Sequence, residues 1–258
     1  MNTEFAFQYL KYYLTAGTKH DVHSPFFYDL VCNVIPDNRL RSFDFLEGLM
    51  KKMSYDYTMI AEDFGAGPED YTNNFRNLGT IARSSSKSPK YCRLLYRIVN
   101  YLKPAIMIEL GTAVGMSAMY IAKGNLGGKL FTIEGNTKLA RMAEINFKTA
   151  SLTNINLITG KFEDELPALL KDIKELDFIY IDGNHRLTPT LAYFELCLEK
   201  SHKNTIFVFD DINWSEEMQD AWRSIKNHTK VTVTIDLFMM GLVFLNPDFS
   251  KQDFIIRY

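Results

Sequence analysis

The sequence predicts an α/β chain: a doubly wound, mostly parallel sheet with an antiparallel final strand, behind a helical N-terminal region. Three observations carry this. From residue 105 onward short apolar runs alternate with amphipathic stretches, the pattern of strands joined by crossover helices. The first run, Ala105-Ile-Met-Ile-Glu-Leu110, breaks at Gly111 and passes a turn holding Gly115. It resumes as the helix-compatible Met116-Ser-Ala-Met-Tyr-Ile-Ala122, which reads as strand, glycine loop and helix. Carboxylates stand at the carboxyl ends of the runs, at Glu109, Glu134, Asp182, Asp210 and Asp211. Folding does not need them there, and open parallel sheets bind ligands at that end.

Composition agrees. The 258 residues suit one α/β domain with an appendage, and 47% hydrophobic against 23% charged content suits a full core. A net charge of -2 supplies no field that would draw the chain to nucleic acid or an anionic membrane. No run reaches the roughly 18 apolar residues of a membrane span. The first residues carry an acid and no basic stretch, unlike a signal peptide. Cys32, Cys92 and Cys197 are odd in number and widely spaced, which reads as reduced thiols in a cytoplasm.

In chain order, residues 4–16 have helical periodicity and stop at Gly17. Ser24 before Pro25 marks a helix start, the serine oxygen capping and the ring already at helical φ; the helix runs from about 25 to 34 and stops before Pro36. His20 and His23 lack a third ligand at useful spacing and read as loop or capping histidines. A further amphipathic helix is expected over 42–52. The stretch 63–90, with three glycines, two prolines and a serine cluster, reads as irregular, either a surface connector or a lid over a ligand. A helix over 91–101 ends at Pro104. These observations divide the chain into 1–88 and 89–258. Within the second part, strands are expected at 105–110, 129–134, 155–159, 176–182 and 205–210. The intervening helices are expected at 116–122, 138–150, 164–171, 187–199 and 215–226, and 231–236 with 241–246 form an antiparallel pair.

The glycine spacing is not the dinucleotide pattern G-x-G-x-x-G, and Glu109 is foreign to it. Glu109-Leu-Gly-Thr-Ala-Val-Gly115 instead resembles the first motif of class I S-adenosylmethionine (SAM) dependent methyltransferases. Leu176-Asp-Phe-Ile-Tyr-Ile-Asp-Gly-Asn-His185 and Thr205-Ile-Phe-Val-Phe-Asp-Asp-Ile-Asn-Trp214 resemble the metal-assisted small-molecule O-methyltransferases. These are the catechol, caffeoyl-CoA and macrolide-sugar types. The resemblance covers about residues 89–246 and implies a Rossmann-like fold. It also implies that Glu109, Gly111, Thr112, Gly115, Met116 and Ser117 lie beside the methionine part of SAM. Glu134, with Gly135 after it, matches the acid that accepts both ribose hydroxyls. Gly160-Lys-Phe162 matches the adenine segment; relatives often have an acid at Lys161, so packing by Phe162 and backbone contact are expected instead. Asp182, Asp210 and Asp211 match the divalent-metal carboxylates, a set suited to Mg²⁺ or a similar hard cation. Asp182 is counted with the cofactor and catalytic residues as well, and His185 matches a proposed base.

The residue types suit the chemistry. Methyl transfer from a sulfonium is an in-line displacement, for which a neutral hydroxyl is a poor nucleophile. A cation and a histidine each promote loss of its proton. The plain alternative for His185 is a loop histidine satisfied by backbone, and for Asp211 a helix cap. The expected partner is a small-molecule substrate, with no nucleic acid and no membrane; a homodimer is compatible. Two rival readings are a same-fold methyltransferase acting on protein or nucleic acid, and a SAM-binding interaction protein without catalysis. Missing basic stripe and Asn/Asp-Pro-Pro-Tyr tetrapeptide weigh against the first, the intact Asp182, Asp210, Asp211 and His185 against the second.

Overall fold

The computed structural model describes residues 3–17, 24–36, 43–61, 75–85 and 87–258. His20, His23, residues 63–74 and residue 86 lie outside the described residues. Helix α1 spans Thr3–Thr15, and Gly17 beyond it bridges to Ile256 near the C-terminus. Helix α2, Pro25–Asp29, continues as a π-helical turn over Leu30–Val34. Its start rests on Pro25 and on the Ser24 carbonyl, which accepts the Tyr28 amide at 2.8 Å; the Ser24 side chain makes no cap bond. Helix α3, Asp44–Ser54, carries Asp44 and Glu47 in its first turn and Lys51 and Lys52 in its last, each sign facing the favourable end of the helix dipole.

Strands β1 (Met59–Ala61) and β2 (Phe75–Asn77) pair antiparallel, and helix α4 follows at Leu78–Ser85. Strand β2 and helix α4 correct the irregular reading of 63–90. Leu78, Ile81 and Ala82 have the three-and-four spacing of a helix, hidden beside the serine cluster, and Ile81 and Ala82 are buried. Helix α5, Pro89–Leu102, ends with Lys103 in the left-handed conformation, just before Pro104.

From there strands and helices alternate. They are β3 (Ile106–Leu110), α6 (Met116–Gly124), β4 (Lys129–Glu134), α7 (Thr137–Thr149), β5 (Ile155–Thr159) and α8 (Phe162–Asp172). Next come β6 (Leu176–Ile181), α9 (Leu187–Leu198), β7 (Ser201–Asp210), α10 (Glu216–Asn227), β8 (Val233–Asp236), β9 (Met240–Phe244) and β10 (Gln252–Ile255).

Two compact units partition the chain. In the unit Asn38–Lys171, β3, β4 and β5 run parallel, with Glu109 opposite Thr132 and Glu134 opposite Thr159. Four of the five residues of β3 are fully buried, as expected for a parallel strand covered on both faces. The other unit joins Met1–Asp37 to Asp172–Tyr258. There β6 and β7 are parallel, with Ile181 opposite Phe209. Strand β9 lies antiparallel to both β7 and β8, which gives the expected closing pair. Strand β10 adds to the expected set and runs parallel to β8. Its sequence, Gln-Asp-Phe-Ile, is too short and too polar to stand out from a loop.

Candidate active site

Among the described residues of the unit Asn38–Lys171, positive φ angles gather in the turn between β3 and α6. Gly111 has φ +100°, Ala113 +47° and Gly115 +88°. Gly115 is required twice. Its φ is one that side chains avoid, and a Cβ there would stand 2.5 Å from Phe147 Cε1. The turn is tied to the end of β4 by Glu134. One carboxylate oxygen of Glu134 accepts the Ala113 amide at 2.7 Å and the other accepts the Asn136 amide at 2.8 Å. Glu134 is not a helix cap: Asn136 does that for α7, accepting the amides of Lys138 and Leu139.

Glu109 is wholly buried on β3, and its Oε2 accepts the Thr132 hydroxyl at 2.6 Å. Thr112 and Thr132 hydroxyls are also 2.6 Å apart. With Glu109 ionised, Thr132 gives its one hydroxyl hydrogen to the carboxylate, so Thr112 donates to Thr132. Thr132 escaped the sequence reading. The signal was its place two residues before Glu134, on the same face of the strand. Met116 and Ser117 are buried in the first turn of α6. Gly135 follows β4, and Phe162 is half-buried as the first residue of α8. The Gly160 amide bonds the Glu134 carbonyl at 3.0 Å, and a Cβ at Gly160 would collide with Glu165.

In the other unit Asp182 and Asp210 follow directly on the paired residues Ile181 and Phe209, so they stand at the ends of adjacent parallel strands. Asp182 Oδ2 accepts the hydroxyl of the buried Tyr180 at 3.0 Å. Asp182 Oδ1 lies 3.6 Å from His185 Nε2, beyond hydrogen-bond reach but within ion-pair distance once the ring is protonated. Asn184 and His185 both have positive φ, +66° and +26°. Two tethers hold their loop: Asn184 Nδ2 donates to Tyr193 Oη at 3.1 Å, and Glu217 Oε2 accepts the Leu187 amide at 3.0 Å. Tyr180 was also missed in the sequence, although a tyrosine two residues before a strand-end acid shares its face.

Asp210 is buried, and Asp211 has φ +51° in a turn closed by the Trp214 amide on the Asp211 carbonyl at 2.9 Å. Capping does not account for Asp211, because the Ser215 side chain accepts the Met218 amide and caps α10. Among the described residues no group of three or more His, Cys, Asp or Glu side chains is arranged to hold a metal ion. Asp182, Asp210 and Asp211 are therefore brought to neighbouring strand ends without forming a ready ligand set. No described helix is long and apolar enough to cross a membrane.

Residues 108–212 match the family described as "Methyltransferase domain", a stretch that contains every candidate residue from Glu109 to Asp211. A catechol O-methyltransferase of Niastella koreensis is 31% identical over 144 residues, which cover 55% of this chain and 63% of that protein. The bovine catechol O-methyltransferase is 29% identical over 110 residues, 41% of this chain and 40% of that one. The chain thus spans less than two thirds of these relatives. Among solved structures, an O-methyltransferase from Bacillus cereus in complex with SAH superposes with a TM-score of 0.61 at 20% identity, over 81% of this chain and 94% of that one. A SAH-bound methyltransferase of Podospora anserina gives 0.63 at 15%, over 87% and 97%. The fold is the Rossmann-like methyltransferase fold, and in sequence part of the chain resembles catechol O-methyltransferases.

Proposed function

We propose that the chain transfers the methyl group of SAM to a hydroxyl of a small molecule. The observation that carries this is Glu134, a carboxylate clamped by two backbone amides at the end of β4 and tied to the positive-φ glycine turn. That arrangement offers an oriented acceptor for a ribose diol beside a backbone a ligand can approach closely. Glu109, Gly111, Thr112, Gly115, Met116 and Ser117 serve the methionine part, Glu134 and Gly135 the ribose, and Phe162 the adenine. Residues 89–258 are the cofactor-binding domain in this reading, and 1–88 contribute a lid or a pocket wall. The catechol O-methyltransferase relatives make catechol the first acceptor to try.

His185 takes the acceptor's proton as the new carbon–oxygen bond forms and the carbon–sulfur bond of the sulfonium breaks. Asp182, 3.6 Å from Nε2, then stabilises the imidazolium. Holding oxygen, carbon and sulfur in line supplies several further kcal/mol on the scale of effective molarity, roughly 7–11 kcal/mol at best. As donors, Asp182, Asp210 and Asp211 suit a hard divalent cation, which when bound would acidify and orient an acceptor hydroxyl. Their side chains are not gathered as a ligand set, and Asp182 is engaged by Tyr180 and His185 instead. The free thiols of Cys32, Cys92 and Cys197 support a reducing, cytoplasmic setting.

Calorimetry tests the cofactor: SAM and SAH are expected to bind in the micromolar range and NAD not at all, and binding of NAD without SAM would overturn the reading. Assays with catechol after chelator treatment test the metal. Loss of turnover restored by Mg²⁺ or Mn²⁺ supports it, and full turnover without metal leaves His185 as the sole activator of the hydroxyl.

A further inference from the structure

Phe238, in the turn between β8 and β9, has φ +69°, a left-handed conformation rare for a residue with a bulky ring. Three interactions hold it there. Asp236 Oδ1 accepts its amide at 2.7 Å. The rings of Phe5, Tyr9 and Tyr12, spaced along one face of α1, surround its ring at centroid distances of 5.1, 5.0 and 5.2 Å. Its carbonyl accepts Asn213 Nδ2–H at 2.8 Å. Helix α1 is itself anchored. The Tyr12 hydroxyl donates to the Ile256 carbonyl and accepts the Tyr258 amide, and the Arg257 guanidinium lies 4.0 Å from the Tyr13 ring centroid.

Asn213 lies two residues past Asp211, in the turn that the Trp214 amide closes on the Asp211 carbonyl. Asp210 pairs with Met240 across β7 and β9, which sets this turn beside the one holding Phe238. A continuous series of contacts thus leads from α1 through Phe238 and Asn213 to the Asp211 turn. The direction of the Phe238 carbonyl depends on its unusual backbone angle. Relaxation to an ordinary negative φ would swing the carbonyl away and leave the Asn213 amide without this acceptor.

We propose that Phe238 is a positioning residue: the aromatic cage on α1 holds it left-handed, and its carbonyl, through Asn213, sets the turn that carries Asp211, directly after Asp210 at the end of β7. The functional meaning of this rests on reading that turn as part of the methyl-transfer site. It gives the N-terminal helix a role in the chemistry although none of its side chains need touch a ligand.

Hydrogen exchange of the full chain, followed at the Trp214 amide, tests the proposal. Asn213→Ala, Phe238→Ala and Tyr9→Ala are each expected to speed that exchange by about ten-fold or more, as a local opening made easier. The double variant Phe238→Ala/Asn213→Ala is expected to exchange no faster than its faster parent, because both changes cut one link. Phe238→Tyr, which keeps the ring, should match the wild type, and amides of α5 should be unaffected throughout. Unchanged exchange at Trp214 in Asn213→Ala, or additive effects in the double variant, would overturn the proposal. Should Phe238→Ala not fold, Asn213→Ala and the half-exposed Tyr9→Ala decide it. SAM calorimetry on the wild type is a separate readout: absent SAM binding would remove the methyltransferase reading, while the exchange data would still decide whether Phe238 sets the turn.

Discussion

Replacing Glu134 with glutamine removes one negative charge and turns one acceptor oxygen into a donor. In the folded chain both oxygens face amides, Ala113 N–H at 2.7 Å and Asn136 N–H at 2.8 Å. Whichever way the new amide is turned, its NH₂ meets one of those N–H groups. One backbone donor beside Glu134, itself only 9% exposed, is then left without an acceptor, at a cost of about 1–3 kcal/mol. The turn around Ala113, whose positive φ a side chain disfavours, is where a lost bond would be felt first. The bonds proposed to the ribose hydroxyls also fall from charged to neutral, a loss of about 0.5–1.5 kcal/mol on the usual difference between the two kinds. The second loss predicts SAM binding weakened by roughly two- to ten-fold at about 1.4 kcal/mol per decade, while the first lowers the stability of the free and the bound chain alike. Calorimetry with SAM measures the affinity, and urea unfolding without ligand measures the stability part separately. Full SAM affinity in Glu134→Gln, with an unfolding midpoint also unchanged, would refute both the clamp and the ribose assignment.

Three further perturbations are informative. Gly115→Ala forces a side chain into φ +88° and against Phe147, and should destabilise the unit Asn38–Lys171 by about 2–4 kcal/mol, seen as a lower thermal midpoint; Phe147→Leu in the same chain should recover part of the loss. His185→Ala should lower turnover by about 10²-fold or more while leaving SAM affinity within two-fold, and unchanged turnover would remove it as the base. Asp236 is held above its ordinary 3.8 chiefly by burial, partly offset by the Phe238 amide. The folded chain therefore binds its proton more tightly than the unfolded one, so this contribution to stability is present below the ordinary carboxylate value and is lost as pH rises through the elevated one. Asp236→Asn keeps an oxygen for Phe238 and should raise the thermal midpoint at pH 7, with the gain shrinking in acid; a gain that persists at pH 3 would contradict the assignment.

Much of the architecture is written in short stretches of sequence. The strands Lys129–Glu134 and Ile155–Thr159 fall on the residues that alternation and flanking turns indicate, and Gly111 and Gly115 take the positive φ that a glycine turn suggests. Strand-end acids were visible too, because a charged residue closing an apolar run needs no partner to be noticed. Other features had no local signature. Helix α4 was masked by the serines around it, and β10 is a strand only because β8 offers it an edge. The Thr132 bond to Glu109 depends on strand register, and the Glu134 bond to Ala113 joins residues 21 apart. Tyr180 became informative only when its hydroxyl was seen on Asp182, and Phe238 only when α1, more than two hundred residues earlier, was found around it. The sequence by itself determined periodicity, turn chemistry and the residue types at the strand ends, since these follow from sterics and hydration within a few residues. The tertiary structure decided which acids bond, which hydroxyls direct them and what holds the turns, because those depend on register and on contacts formed only when distant segments close onto one another.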